Sequence, residues 1–348
     1  MDAKTVQLEI ADPSLSVNAI DHGALITIAL ASLAAVLAIA SFLIGPAHIS
    51  TSDLFGGLFE NHGTATIIAR ELRLPRALLA LVVGGALGAS GAALQGLFRN
   101  PLADPGVTGV TSSAGLGAVI AMYFGLATSF AIVLPACAIA GALATSTILY
   151  FLSRSGADRT ALILAGAAIA SLATAMTALA MSLAPNPYAM AEMMRWLMGS
   201  LKDCTLADLL LATPPVVLGV ILLMSCARGL DALTLGEEAA QSLGVDVHGI
   251  RRRAVIGVAL ATGAATAAAG AVSFVGLVVP HLLRPFYAYE PARLIFPSAL
   301  GGAALVTAAD IAVRLIAPDG QLLVGVMTAL LGAPFFIWLI LKMRRGTA

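Results

Sequence analysis

Between Pro105 and Ser153 the chain runs for 49 residues without one Asp, Glu, Lys or Arg. As a single helix rising 1.5 Å per residue, this run would more than double the roughly 30 Å hydrocarbon thickness of a bilayer. It must therefore make two crossings, and the break falls at residues 125–135, bounded by Gly125 and Pro135. Further apolar runs of crossing length lie at 24–45, 77–98, 160–184, 209–227, 294–316 and 321–341. The charge-free run 254–283 is interrupted by Gly270, Gly276 and Pro280, which predicts a full helix followed by a short one ending at Pro285. Pro185-Asn186-Pro187 ends the fifth helix, and Ala317-Pro318-Asp319-Gly320 separates the last two. The expected fold is an all-α membrane protein, a bundle of ten transmembrane helices forming one domain over residues 1–348, with both termini on one face.

Composition agrees with this. With 59% hydrophobic residues, 11% charged residues and a mean hydropathy of +0.96, the chain is excluded from the water-soluble enzymes. Nineteen basic residues balance nineteen acidic ones, so no global field is available to hold nucleic acid. Thirty-four glycines and only 5% aromatics suit helices whose backbones approach closely, as bundles in lipid require. Cys137, Cys204 and Cys226 form no CxxC pair, so neither a disulfide framework nor a zinc site is expected.

The polar first 23 residues carry one lysine, and the apolar run after them is too long for a signal-peptide core, so it is read as a mature helix. Basic residues set the orientation. With the N-terminus inside, thirteen of the Lys and Arg residues fall on the inner face, and six, Arg70, Arg73, Arg76, Arg195, Lys202 and Arg314, on the outer. Both termini are expected in the cytoplasm. VVGGALGASGAALQG in the second helix and VALATGAATAAAGAV in the seventh form a faint echo in helices of opposite direction, as an inverted repeat or a shared small-residue bias would give.

No catalytic arrangement is visible. None of Lys4, Lys202 and Lys342 sits in a GxxxxGK[ST] loop, so any ATP-derived energy must come from another chain. His22, His48, His62, His248 and His281 show no ligand spacing and read as ordinary satisfied histidines. The inner-face segment 231–253 is too polar to span. Within it, residues 236–244 read as a short helix with Glu237 and Glu238 in its first turn, Ala240 and Leu243 along it and Gly244 at its end. Small residues on such a helix suit docking into another protein, although a solvated connector would look similar.

The chain resembles the permease subunits of bacterial type II ABC importers for iron chelates, haem and vitamin B12. The resemblance rests on Leu72-Arg73-Leu74-Pro75-Arg76, on the run LFRNPLADPG ending at Gly106, and on Gly236-Glu237 with Ala240 and Leu243-Gly244. It continues through FVGLVVPH at 274–281, Ala309-Asp310 with Arg314, and LGAPFF at 331–336, in family order from about residue 70 to the C-terminus. It implies a homodimer in the bacterial inner membrane, served by two ATPase subunits that carry ATP and Mg and by a periplasmic binding protein. It further implies a coupling helix at 236–244, formed by Gly236, Glu237, Glu238, Ala240, Leu243 and Gly244, that meets the ATPase. Arg73, Arg76 and Arg314 would dock acidic residues of the binding protein, for which the planar guanidinium is suited. Headgroup snorkelling of Arg73 and Arg76, and an i,i+4 pair of Asp310 with Arg314, are the plainer readings.

The resemblance also implies a pore lined by the fifth helix, with a gate at Asp158-Arg159-Thr160. Arg159 departs from the small hydroxyl residues common there in the family. Gly166, Ser171, Thr174, Thr177 and Ser182 would supply a weakly polar wall, and buried helix packing uses the same residue types. No cofactor is expected on the chain itself. LFRNPLADPG is most like the run in haem permeases, which makes haem the first expectation for cargo, with a ferric siderophore or vitamin B12 as alternatives. Met190, Met194 and Met198, with Met193 and Arg195 beside them, offer iron and propionate contacts or, alternatively, adaptable packing. A secondary transporter would need an intramembrane coupling residue, for which Asp310 with Arg314 is the candidate.

Overall fold

A computed structural model describes residues 13–47, 49–59, 63–126, 130–155, 159–317 and 321–345, and among these it contains helices and no strand. The helices are α1 (Pro13–Leu43), α2 (Thr51–Gly57), α3 (Thr64–Leu97), α4 (Val110–Tyr123), α5 (Val133–Arg154), α6 (Arg159–Ser182) and α7 (Pro187–Leu197). They continue as α8 (Leu206–Ser225), α9 (Ala227–Thr234), α10 (Glu237–Ser242), α11 (Val247–Ala269), α12 (Val275–Leu283), α13 (Pro291–Ile316) and α14 (Val324–Arg345). Each of the ten expected crossings coincides with a helix. By length and composition alone, six of these helices suffice to span, and 110–123 and 324–339 are shorter apolar helices, so the count of ten is supported only approximately.

Local signals set several boundaries. Asn186 accepts from the Ala189 N–H and Pro187 opens α7, which places the expected turn at a helix start. Thr205 and Asp208 close a capping box at the start of α8, so the helix begins at Leu206, three residues ahead of the expected run from 209. Gly270, at φ +69°, ends α11. Pro280 lies inside α12, which stops at Leu283, and a 3-10 turn spans Arg284–Tyr287. The Pro318, Asp319 and Gly320 part of the predicted last turn lies outside the described residues.

Two expected starts are corrected. α1 begins at Pro13, ahead of the first apolar run, and α3 begins at Thr64, ahead of the arginines that read as loop. Its segment Ile67–Arg73 is π-helical, a widened turn that carries Arg70 and Arg73 at its end.

At the centre, α3 lies against α13 and α12 with backbones in contact. A Cβ placed on Gly88 would fall 2.0 Å from the Ser298 carbonyl oxygen, and one on Gly91 would fall 1.9 Å from that of Gly276. Only glycine permits these approaches, which replace the hydrophobic drive that lipid removes. α11 packs on α3, α5 and α8, and α6 packs on α4 and α5 at the margin of the bundle.

Candidate functional site

The predicted site residues gather at the two ends of the bundle and along α6. At the end where α1 finishes, the last carbonyls of the helix lack intrahelical donors. Arg73 supplies donors, to Phe42 O at 3.3 Å, Leu43 O at 2.6 Å and Ala47 O at 2.6 Å. Gly45 lets it pass, since a Cβ there would stand 2.8 Å from the guanidinium. Arg314 donates to Ser41 O, Ile44 O and Ser41 Oγ at 2.6 to 2.8 Å. Positive charge at a helix C-terminus also complements the dipole.

Asp310 is fully buried between two arginines. Arg76 meets it through Nε at 3.1 Å from each carboxylate oxygen and through Nη2 at 2.7 Å from Oδ1, and Arg314 Nη2 stands 2.9 Å from Oδ2. The expected i,i+4 pair is present, and Arg76 completes a triad that ties α3 to α13. Both carboxylate oxygens are engaged, which leaves no free ligand for a coupling ion.

Arg73, expected to dock, is 6% exposed here, its guanidinium held by the carbonyls of Phe42, Leu43 and Ala47. Arg76 and Arg314 retain small openings, with side chains 18% and 8% exposed. They line a cleft of about 80 Å³ together with Lys202, a residue that no sequence motif singled out. Ser200 and Lys202 also line a neighbouring cavity of about 950 Å³, together with Glu192, Met194, Arg195, Met198, Asp203 and Asp208. Of the methionine run, Met193 is buried at 1% exposure and Met190 does not line this cavity. Burial pushes the Cys204 thiol up to about 12, which makes it an inert wall residue.

Along α6, Leu162, Gly166, Ala173 and Thr177 are buried, at the 4-7-4 spacing of one stripe. Gly166 meets the α4 side directly, where an added Cβ would come within 2.9 Å of Thr108 Cα. Gly166 and Thr177, both expected in the pore wall, are thus on the buried stripe of α6 in this structure. Thr160, Ala167, Ser171, Thr174, Ala178 and Ser182 are exposed. Ser171 and Thr174 donate back to the Ala167 and Ala170 carbonyls at 2.9 and 2.8 Å, so the exposed wall offers little free polarity. Arg159 opens α6, and Asp158 lies outside the described residues.

At the opposite end, α10 is bracketed by Gly236 at φ +109° and Gly244 at φ +79°. The expected helix is present over Glu237–Ser242. Ala240 is buried against its own chain, and Glu237 is paired with Arg251 while its side chain stays 42% exposed. Glu238, Gln241, Leu243 and Gly244 are exposed, joined by Leu235, which sequence reading passed over. In the loop between α3 and α4, Asp104 is buried with Oδ1 accepting from the Gly106 N–H at 2.7 Å. Burial pushes its carboxyl up to about 6 against the pull of the Gly106 and Val107 N–H groups.

The FecCD transport family matches residues 33–342. The hemin transport system permease HmuU of Yersinia pestis is 42% identical over 79% of this chain and 83% of its own length. The vitamin B12 import system permease BtuC of Yersinia enterocolitica is 39% identical over 81% and 84%. The cobalamin import permease BtuC of Halobacterium salinarum is 41% identical over 80% and 74%. Among solved structures, a metal-chelate type ABC transporter in an inward-facing conformation superposes with a TM-score of 0.79 at 30% identity, covering 91% of this chain and 99% of that one.

Proposed function

Because the chain belongs to the FecCD transport family and is a membrane-embedded permease of a type II ABC importer, we propose that two copies pair around α6 and move haem inward between them. The observation that carries this reading is α6 itself, an apolar helix packed on one stripe and exposed on the rest. Its alanines and back-bonded hydroxyls give an amphiphilic cargo a surface to slide along without a site that traps it.

ATP is hydrolysed on a separate subunit, since this chain has no phosphate loop. That subunit, with its ATP and Mg, meets the exposed residues Leu235, Glu238, Gln241, Leu243 and Gly244 within segment 231–253 of the single permease domain. At the opposite end a periplasmic binding protein places an acidic side chain at the cleft of Arg76, Lys202 and Arg314, drawn by their positive charge. The thirteen-to-six distribution of basic residues supports cytoplasmic termini in the bacterial inner membrane.

Haem is favoured by the LFRNPLADPG run and by the 42% identical hemin permease. A second reading, vitamin B12, is favoured by the 39% and 41% identical B12 permeases. Proteoliposomes containing permease, ATPase and binding protein decide between them, offered haem, a ferric siderophore or vitamin B12. ATP-dependent accumulation of haem is expected; accumulation of another cargo and not haem would overturn the haem assignment.

A further inference from the structure

Arg251, Arg252 and Arg253 are three successive cations at the start of α11, and the structure sends each a different way. Successive helical positions are about 100° apart. Arg252 is exposed, and Arg253 reaches back to Ser225 O and Oγ at 3.4 Å, at the end of α8. Arg251 turns to α10 and pairs through Nη2 with Glu237 Oε1. Its side chain is only 11% exposed, while Glu237 is 42% exposed. The same Arg251 side chain lines a small apolar cavity with Leu97 and Phe98 at the end of α3, Val110 at the start of α4, and Tyr150 and Ser153 at the end of α5.

This places one cation between α10 on one side and the ends of α3 and α5 and the start of α4 on the other. α6 packs on α4 and α5, and α11 packs along α5. α10 packs on α9 and α11. It is six residues long, bracketed by two glycines, and seated by the buried Ala240 with the Val245 N–H on Ala240 O. A half-buried ion pair is then the directional link that fixes how α10 sits against the bundle.

We propose that Arg251 is a positioning residue that transmits force on α10 to the helices carrying α6. This rests on α10 being the ATPase contact. Without the pair, α10 keeps its exposed face for the ATPase but loses its fixed angle to α11, so hydrolysis and cargo movement come apart.

The test uses the full complex in proteoliposomes with haem-loaded binding protein, reading haem imported per ATP hydrolysed and the amount of ATPase that co-purifies with the permease. Arg251→Gln is expected to lower the import ratio about tenfold. Arg251→Lys should keep most of it, and the exchanged pair Arg251→Glu with Glu237→Arg should recover it to within about threefold. A merely structural arginine would lower the yield of assembled complex and leave the haem imported per ATP hydrolysed unchanged. An unchanged ratio in Arg251→Gln, or an exchanged pair as defective as the single variants while eluting as monodisperse complex, would overturn the proposal. Leu243→Glu serves as the separate control. ATPase that still co-purifies with this variant contradicts the α10 contact, whereas ATPase lost here but an Arg251→Gln ratio like wild type contradicts only the role of Arg251.

Discussion

α3 and α6 are equally hydropathic helices of alanine, glycine and small hydroxyl residues, yet 78% of the most apolar stretch of α3 is buried and only 22% of that of α6. The difference lies in what the small residues touch. In α3 they meet other backbones, as Gly88 and Gly91 meet Ser298 and Gly276. In α6 one stripe meets α4, and Ser171 and Thr174 look outward with their hydroxyls turned back on their own helix. Hydropathy identifies a helix that crosses; burial distinguishes the scaffold from the exposed surface that the proposed function assigns to a second copy and a cargo.

The sharpest way to break this contrast is a bulky residue in each helix. Gly88→Leu should abolish folding, because its Cβ alone would stand 2.0 Å from a carbonyl oxygen that belongs to backbone. Ser171→Leu should change stability by less than about 0.5 kcal/mol. Monodispersity and thermal unfolding in detergent check both, and a well-folded Gly88→Leu protein would refute the close packing of α3 on α13.

The buried triad comes next. Asp310→Ala leaves Arg76 and Arg314 facing each other without their carboxylate and should cost about 3–5 kcal/mol. Denaturation of the purified variant measures it, and a loss below about 1 kcal/mol would mean that the pair is screened as at an open surface.

A pH effect of up to about 3 kcal/mol is expected from Asp104, whose folded carboxyl sits at about 6 against an ordinary 3.8. The folded state holds this proton more tightly than the unfolded chain does. The contribution is thus complete below pH 3.8 and is lost as pH rises through about 6. Asp104→Asn keeps an acceptor for the Gly106 N–H and should flatten the profile from pH 4 to 7 while raising stability at pH 8. Parallel profiles for the two proteins would contradict a buried ionisation. The smallest effect belongs to α6: Ser171→Ala and Thr174→Ala should each stay within about 0.5 kcal/mol of the parent, since both hydroxyls bond only their own helix.

The ten helical segments were legible because absence of charge over a crossing length is a local property of the chain. The start of α3 was not. Arg70, Arg73 and Arg76 read as loop residues, and they sit in a helix because Leu58 O, the carbonyls of Leu43 and Ala47, and Asp310 accept from them across the fold. The same holds at α10, where the glycine brackets and acidic first turn marked the helix. Which of its faces is free depends on Arg251 and on the seat of Ala240, and both are set by tertiary contact. In α6, Gly166 and Thr177 share residue type with Ser171 and Thr174, and only the position of α4 divides seam from wall. Lys202 joins the arginine cleft through the loop before α8, a juxtaposition that no spacing announces.

The most direct test of α6 as the transport wall is ATP-driven haem uptake by proteoliposomes of the complete complex carrying Ser171→Trp, with ATP hydrolysis recorded in the same vesicles. A bulky ring on the exposed stripe should stop uptake while binding-protein-stimulated hydrolysis continues. Haem uptake at the wild-type rate in that variant would contradict the assignment of this face to the pore.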